Sequence, residues 1–264
     1  MNIGFIGCGN MGSALAGSVM KNPQTKVYIS DFLSEKALAF AKETGAIATD
    51  NLSIAENCDF IFLAVKPANF SATIEPLRQA FKKNEKSVIV TIAAGLSLDK
   101  VGAMVGDPHP IIRIMPNTPV LLGKGMITWC KNTLVSDGDC EKFKALLSGA
   151  GRLDEIDEKL IDAASAVAGC GPAFVYMFIE ALSDGAVECG LPRDKAMTYA
   201  AETLAGAAEM VLKTGKHPGQ LKDEVCSPGG STIEGVRALE DGKFRANTAS
   251  AVIAAYEKTK KLGK

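Results

Sequence analysis

The chain has 264 residues, nearly half of them apolar (47%), which is enough to bury one large core or two modest ones without disulfide staples. Lysine and arginine (29) balance aspartate and glutamate (30), so no net field recommends nucleic acid or an anionic membrane as a partner, and a small, locally recognised ligand is expected. The seven cysteines, Cys8, Cys58, Cys130, Cys140, Cys170, Cys189 and Cys226, are odd in number and scattered, without a C-x-x-C pair or a cysteine/histidine cluster at zinc spacing. That argues against a disulfide framework and against a bound metal, and for reduced thiols in a reducing compartment.

In chain order, a strand is predicted over Asn2–Ile6, followed at once by Gly7-Cys8-Gly9-Asn10-Met11-Gly12 and a helix over Met11–Met20. Because the strand begins so early, no basic region precedes an apolar stretch. No uncharged apolar run reaches the roughly 18 to 20 residues of a membrane span, so a cytosolic protein is expected. The glycine sextet matches G-x-G-x-x-G, a weak signal by itself and a strong one between a strand and a helix. There Gly7 makes the tight turn, Gly9 lets backbone approach a pyrophosphate, and Gly12 lets the helix pack on the sheet, so Ile6 through Gly12 are expected to contact a dinucleotide.

The next strand, Lys26–Ser30, ends at Asp31, whose carboxylate would bond the adenosine ribose and repel a 2′-phosphate. No arginine follows, so NADH is favoured over NADPH as cofactor. Ser30, Ser34 and Lys36 would offer a phosphate pocket if Asp31 turned away, and a turn or helix-cap role for Asp31 is the competing reading. A helix over Ser34–Lys42 leads on to a strand over Asp59–Ala64, which enters Ala64-Val65-Lys66-Pro67, a cofactor contact through backbone rather than through the Lys66 ammonium. After a helix over Pro67–Phe81, the strand Ser87–Thr91 leaves into Ile92-Ala93-Ala94-Gly95, and small Ala93 and Ala94 would let a nicotinamide ring lie close. Ile111–Met115 is the last clear strand. This alternation predicts an α/β fold whose N-terminal domain, residues 1–156, is a Rossmann-type doubly wound parallel sheet.

Residues 157–264 are expected to form an all-α domain for substrate binding and dimerisation, with helices over Leu160–Ala168, Ala173–Cys189, Arg193–Leu212 and Ala246–Lys260. Its many alanines and glycines, Ala200, Ala201, Ala205 and Gly206 among them, make a thin core that a second copy would complete, so a homodimer is expected. Before a further helix over Ile233–Leu239, Pro228, Gly229 and Gly230 form a turn with unencumbered amides, and Ser231 and Thr232 add hydroxyls. Such a helix start receives a small carboxylate without any arginine, the alternative being a plain capped helix. The histidines, His109 and His217, both sit beside prolines and suit surface roles, so no clear acid stands ready to protonate an alkoxide. An imine needs none, because its nitrogen can arrive protonated.

Val225-Cys226-Ser227-Pro228-Gly229-Gly230-Ser231-Thr232-Ile233-Glu234-Gly235 closely resembles the signature of pyrroline-5-carboxylate reductases. The resemblance runs through the glycine loop, Val65-Lys66-Pro67, Arg113-Ile114-Met115-Pro116-Asn117-Thr118-Pro119, Gly169-Cys170-Gly171-Pro172-Ala173 and Gly190-Leu191-Pro192. It implies reduction of 1-pyrroline-5-carboxylate to L-proline by hydride from NAD(P)H, the last step of proline biosynthesis. It also implies interlocked homodimers, with larger rings of dimers, and active sites where one subunit's sheet meets a partner's helices. By residue it implies a catalytic Thr232 at the ring nitrogen or carboxylate, with Gly230 and Ser231 holding the carboxylate. Glu158 falls at a substrate-side carboxylate or, equally, at a domain-junction helix cap, and Asn51 at an adenosine contact. Asp31 and Glu224 depart from the family pattern on the coenzyme side. A β-hydroxyacid dehydrogenase-like enzyme would place a catalytic lysine on the helix after a glycine-rich turn, where this chain has Phe174, Val175 and Tyr176. A non-catalytic dinucleotide sensor would leave the loop at Ser227 to Thr232 without a purpose.

Overall fold

The computed structural model describes residues 1–106 and 108–262. Two compact units are formed, one from Met1–Cys170 together with the chain from Ala255 onward, the other from Gly171–Ala254.

The first unit is built on one eight-stranded sheet, with β1 Asn2–Ile6, β2 Lys26–Ser30, β3 Ile47–Ala48, β4 Phe60–Leu63, β5 Val88–Thr91, β6 Ile111–Met115, β7 Gly125–Lys131 and β8 Gly151–Glu155 in the order β3-β2-β1-β4-β5-β6-β7-β8. Alternate residues of the central strands enter opposite cores. Ile3, Phe5, Phe60 and Phe62 join Trp129 and Phe143 on one face, while Ile6, Ile61 and Leu63 join Phe70 and Phe81 on the other. Burial on both faces is what makes these strands read as continuous apolar runs. The sheet is not parallel throughout, as the sequence pattern suggested: β7 runs antiparallel to β6. Residues 116–124 between them hold only a 3-10 turn, Thr118–Leu122, and a parallel return needs a crossover of about a dozen residues or more.

Helices α1 Asn10–Val19, α2 Ser34–Thr44, α3 Asn51–Asn57, α4 Pro67–Ile74, α5 Arg78–Lys83, α6 Leu98–Val105 and α7 Asp137–Leu147 flank the sheet. The single helix expected over Pro67–Phe81 is broken by a 3-10 turn at Glu75–Leu77, because Pro76 has no amide to continue the ladder. Helices α3, α6 and α7 were not among the expected elements, yet each is started by a side-chain cap, from Asp50, Ser97 and Ser136 respectively. His109 is not a surface residue: it is buried, edge-on to Phe81 and 3.0 Å from the Ser87 hydroxyl.

The first unit continues past the expected boundary at Ile156. Helix α8, Glu158–Ala164, buries Ile161 in the core and is ion-paired to Arg113 of β6 through Glu158 (3.2 Å) and Asp162 (2.7 Å). A π-turn follows at Ser165–Gly169, closed by the Cys170 amide on the Ser165 carbonyl. Pro172 lacks the amide that an α-helix would donate to the Ala168 carbonyl. The buried Asn117 side chain replaces it, with Nδ2 donating to the Ala168 carbonyl at 3.0 Å while Oδ1 accepts the Met126 amide at 2.9 Å.

The second unit contains α9 Gly171–Glu188, α10 Arg193–Thr214, α11 Pro218–Glu224, α12 Ser231–Asp241 and the first part of α13 Phe244–Leu262. Helices α9 and α10 pack on each other, but few side chains are buried between them beyond Ser183, Ala196 and Ala200, and α11 and α12 bury none. Val175, Tyr176, Met177, Met210, Leu212 and Phe244 are all exposed on this unit. By length and composition alone the helical stretch Glu158–Glu188 is apolar enough to cross a membrane.

Asn117→Ala should leave the Met126 amide and the Ala168 carbonyl without partners, at a cost of about 1 to 3 kcal/mol for each buried group. Urea denaturation monitored by the single Trp129, which lies in the same unit, measures the loss.

A candidate dinucleotide site and an uncapped helix start

The strand order reverses between β1 and β4, and ligands of open α/β sheets bind outside the carboxyl ends of the strands at such a point. There Gly7, with φ of 111°, lies so near β4 that an added Cβ would stand 2.4 Å from the Ala64 carbonyl oxygen. A Cβ on Gly12 would meet the Gly7 carbonyl oxygen at 2.1 Å, so the start of α1 is drawn tightly onto the turn. Gly9 is different. It is the N-cap of α1 in extended conformation, and a Cβ there would find nothing within 4 Å. No side chain caps α1, so its first amides face outward beside the bare Cα of Gly9. The protein demands glycine at positions 7 and 12, whereas at position 9 the space is left for something else, and a diphosphate at a helix N-terminus fits it.

The other predicted residues gather along the same edge. The Ala64 amide bonds the Ile6 carbonyl at 2.8 Å, which sets Ala64-Val65-Lys66-Pro67 beside the glycine loop. Pro67 opens α4 and Lys66 is its extended N-cap with an exposed side chain, consistent with a contact through backbone. The Ile92 amide reaches the Leu63 carbonyl at 3.4 Å, bringing the turn at Ala93 and Ala94 alongside.

Asp31 accepts the Cys8 amide at 2.7 Å through Oδ2 and the Leu33 amide at 3.0 Å through Oδ1. It therefore holds the glycine loop and its own turn together, the second of the two roles the sequence left open, while its carboxylate stays at the end of β2. Beside that carboxylate, burial pushes the Cys8 thiol up, with the charge of Asp31 adding to it. Ser30 is buried, and its hydroxyl donates to Asn51 Oδ1 at 2.6 Å, so it is not available to a phosphate. Asn51, the first residue of α3, is thereby set next to the end of β2. Glu158 Oε1 accepts the Leu98 amide at 2.7 Å and the Arg113 guanidinium at 3.2 Å. The first is a bond to the opening amide of α6 and the second an ion pair, whereas in the sequence Arg113 and Asn117 stand out only as parts of a motif. A lone arginine in an otherwise apolar strand was the signal that a buried ion pair awaited. A surface hollow of about 660 Å³, lined by Asp59, Glu85, Lys86, Asp139 and Lys142, lies at the amino ends of the strands, the opposite edge from the glycine loop.

In the second unit, Gly229 takes φ of 67° and Gly230 is the N-cap of α12, with its amide on the Ser227 carbonyl at 3.1 Å. The helix begins at Ser231, two residues before the expected start, which makes Ser231 and Thr232 its first two residues. Both are exposed, and no side chain caps the helix. Its first amides thus point outward beside two hydroxyls, an arrangement suited to a carboxylate. His217 caps α11, its Nδ1 accepting the Gly219 amide at 3.0 Å, and Glu224 is paired with Lys216 at 2.8 Å.

A doubly wound sheet with an open amide cradle at its switch point, followed by an exposed helical unit, defines a Rossmann-type oxidoreductase of the dinucleotide-binding class. Residues 158–262 match the family described as pyrroline-5-carboxylate reductase dimerisation, and residues 2–95 match NADP oxidoreductase, coenzyme F420-dependent. Pyrroline-5-carboxylate reductase of Escherichia coli K12 is 41% identical over 99% of this chain and 98% of its own, and that of Arabidopsis thaliana is 36% identical over 98% and 95%. The crystal structure of Plasmodium falciparum pyrroline carboxylate reductase with NADP bound superposes with a TM-score of 0.91 at 35% identity, covering 100% of this chain and 98% of that one. The chain belongs to the pyrroline-5-carboxylate reductase family.

The two glycines separate fold from cofactor. Gly7→Ala should lower the melting temperature by several degrees, whereas Gly9→Ala should cost under about 1 kcal/mol of stability, as a changed N-cap does, while markedly weakening NADH and NADPH binding. Calorimetric melting and a fluorescence titration on each variant would show the separation, and unaltered binding by Gly9→Ala would remove the cradle.

Proposed function

We propose that this protein reduces 1-pyrroline-5-carboxylate to L-proline with NAD(P)H, the closing step of proline biosynthesis. The observation that carries the reading is the uncapped start of α12, which would suit a carboxylate, on a chain whose relatives over nearly their full length are pyrroline-5-carboxylate reductases.

The amides of Asn10, Met11 and Gly12 would hold the diphosphate, with Gly9 leaving room for it and Cys8 fixed by Asp31. Ile6, Val65, Lys66 and Pro67 would border the cofactor, Asn51 its adenosine, and Ala93 and Ala94 its reduced ring. Bound there, NAD(P)H supplies the hydride. The Gly230 amide is taken by the Ser227 carbonyl, so Gly230 would border the substrate while the amides of Ser231 and Thr232 orient its carboxylate at the positive end of α12, and the Thr232 hydroxyl would bond the ring nitrogen or the carboxylate. Because the imine nitrogen arrives protonated, the chain need not provide an acid; positioning is its main contribution.

NADH is favoured over NADPH in this reading, on the carboxylate that Asp31 keeps at the end of β2. The active form is a homodimer, with rings of dimers as the larger assembly, in which a second copy covers Val175, Tyr176, Met177 and their exposed neighbours. Seven free thiols, four of them buried, suit a cytoplasmic location, and burial pushes Cys58 and Cys130 up to about 12, which keeps both protonated.

The test is oxidation of NADH or NADPH that depends on 1-pyrroline-5-carboxylate; equal turnover of a 3-hydroxy acid with NAD would refute it. Thr232 makes no capping bond, so Thr232→Ala should leave stability nearly unchanged and cost about 1 to 3 kcal/mol in kcat/KM. Normal kinetics in a destabilised variant would exclude Thr232 from the chemistry. Asp31→Ser should weaken NADH and improve NADPH by about 1 kcal/mol each, read as the ratio of the two kcat/KM values, in which any shared loosening of the glycine loop cancels.

A further inference from the structure

Arg113 has no task in the reading above. Its side chain is 4% exposed within the apolar β6, where a cation is tolerated only when paired. Nη1 reaches Glu158 Oε1 at 3.2 Å and Nη2 reaches Asp162 Oδ1 at 2.7 Å, while Nε has no partner among the described residues. The same Glu158 Oε1 also accepts the Leu98 amide at 2.7 Å. A single carboxylate oxygen therefore joins β6, α8 and the first residue of α6.

What precedes α6 gives this junction its meaning. Helix α6 is the direct continuation of the turn that leaves β5 through Ala93 and Ala94. At its near end the turn is held by Thr91, whose hydroxyl accepts the Ala93 amide at 3.2 Å, and by the Leu96 amide on the Ala93 carbonyl at 3.4 Å. At its far end stand the Ser97 cap and the bond from Leu98 to Glu158. The charge on Glu158 suits the positive end of α6, and Arg113 prevents the carboxylate from swinging away. Asp162 shares the guanidinium but makes no hydrogen bond to the turn among the described residues.

We propose that Glu158 is a positioning residue for the turn bearing Ala93 and Ala94, that Arg113 orients it, and that its effect falls on the nicotinamide cofactor rather than on the substrate. The proposal rests on the reading that this turn borders the reduced ring.

Glu158→Ala, Glu158→Gln, Leu98→Pro, Leu98→Ala and Asp162→Ala, each in the full-length enzyme, decide the matter by direct fluorescence titration with NADH and NADPH alongside KM for 1-pyrroline-5-carboxylate and melting temperature. Glu158→Ala should raise the cofactor Kd about tenfold, the scale of one charge-assisted hydrogen bond, with KM for the substrate moved by less than about twofold. Glu158→Gln keeps an acceptor for the Leu98 amide and should recover most of the affinity. Leu98→Pro removes the donor at a first-turn position where proline is tolerated, and read against Leu98→Ala, which trims the same buried side chain but keeps the amide, should further weaken the cofactor with the ion pairs intact, so the proposal stays testable if Glu158→Ala does not fold. Asp162→Ala loses an ion pair of the same arginine and should lower the melting temperature without changing cofactor Kd. A raised substrate KM at unchanged cofactor Kd would make Glu158 a substrate contact, and an equal loss of cofactor affinity in Asp162→Ala would make the effect general loosening; either overturns the proposal. Cofactor titration needs no turnover, so a failure of the proposed reaction would show separately, as binding without oxidation.

Discussion

The approach of Gly7 to the Ala64 carbonyl is the constraint on which the carboxyl edge of the sheet depends. The chain leaving β1 has to turn within the space between two strands that diverge in sequence but adjoin in the sheet, and only a residue without a side chain fits there. Once Gly7 occupies that gap, Gly12 must close on it and α1 must begin at Gly9, with its amides aimed outward. The Cys8 amide in that loop is taken by Asp31 from the end of β2. The loop is therefore pinned from both neighbouring strands before any ligand arrives, and that rigidity is what a preformed phosphate cradle requires.

A second seam runs from the end of β6. Arg113 holds α8 through two carboxylates, and Asn117 answers the carbonyl that Pro172 leaves without a donor. Asn117, within the sequence motif at 113–119, thus donates to Ala168, the residue just before the motif at 169–173. A proline inside a helical run normally costs a hydrogen bond; here the helix shifts into a π-turn and a side chain from the loop after β6 satisfies the orphaned oxygen.

The helical unit follows a different logic. Its helices α11 and α12 bury no side chain, and large apolar residues stay exposed on α9 and α10. A dimerisation domain has this form, because the hydrophobic free energy it lacks within one subunit is recovered against another. The same apolarity lets Glu158–Glu188 pass for a membrane span by composition, although Glu158 and Asp162 are held in ion pairs with Arg113.

Local sequence was sufficient wherever the physics is local. The central strands were legible because burial on both faces leaves unbroken apolar runs, and the glycine loop because three glycines at fixed spacing serve one turn. Its register with Ala64 through Pro67 and with Ala93 and Ala94 followed from where strands end. Helices α3 and α6 were missed because so few turns carry little periodicity, whereas α7, eleven residues long with Cys140, Phe143 and Leu147 buried at helical spacing, was legible, and a side-chain cap marks the start of all three. The antiparallel β7, the burial of His109 and the partners of Arg113, Asn117 and Glu158 were decided by tertiary structure alone. Each depends on which residues, distant along the chain, are brought within hydrogen-bonding reach. Periodicity and spacing fix the face of an element that a residue occupies, whereas the partner it finds there is set by the packing of the sheet as a whole.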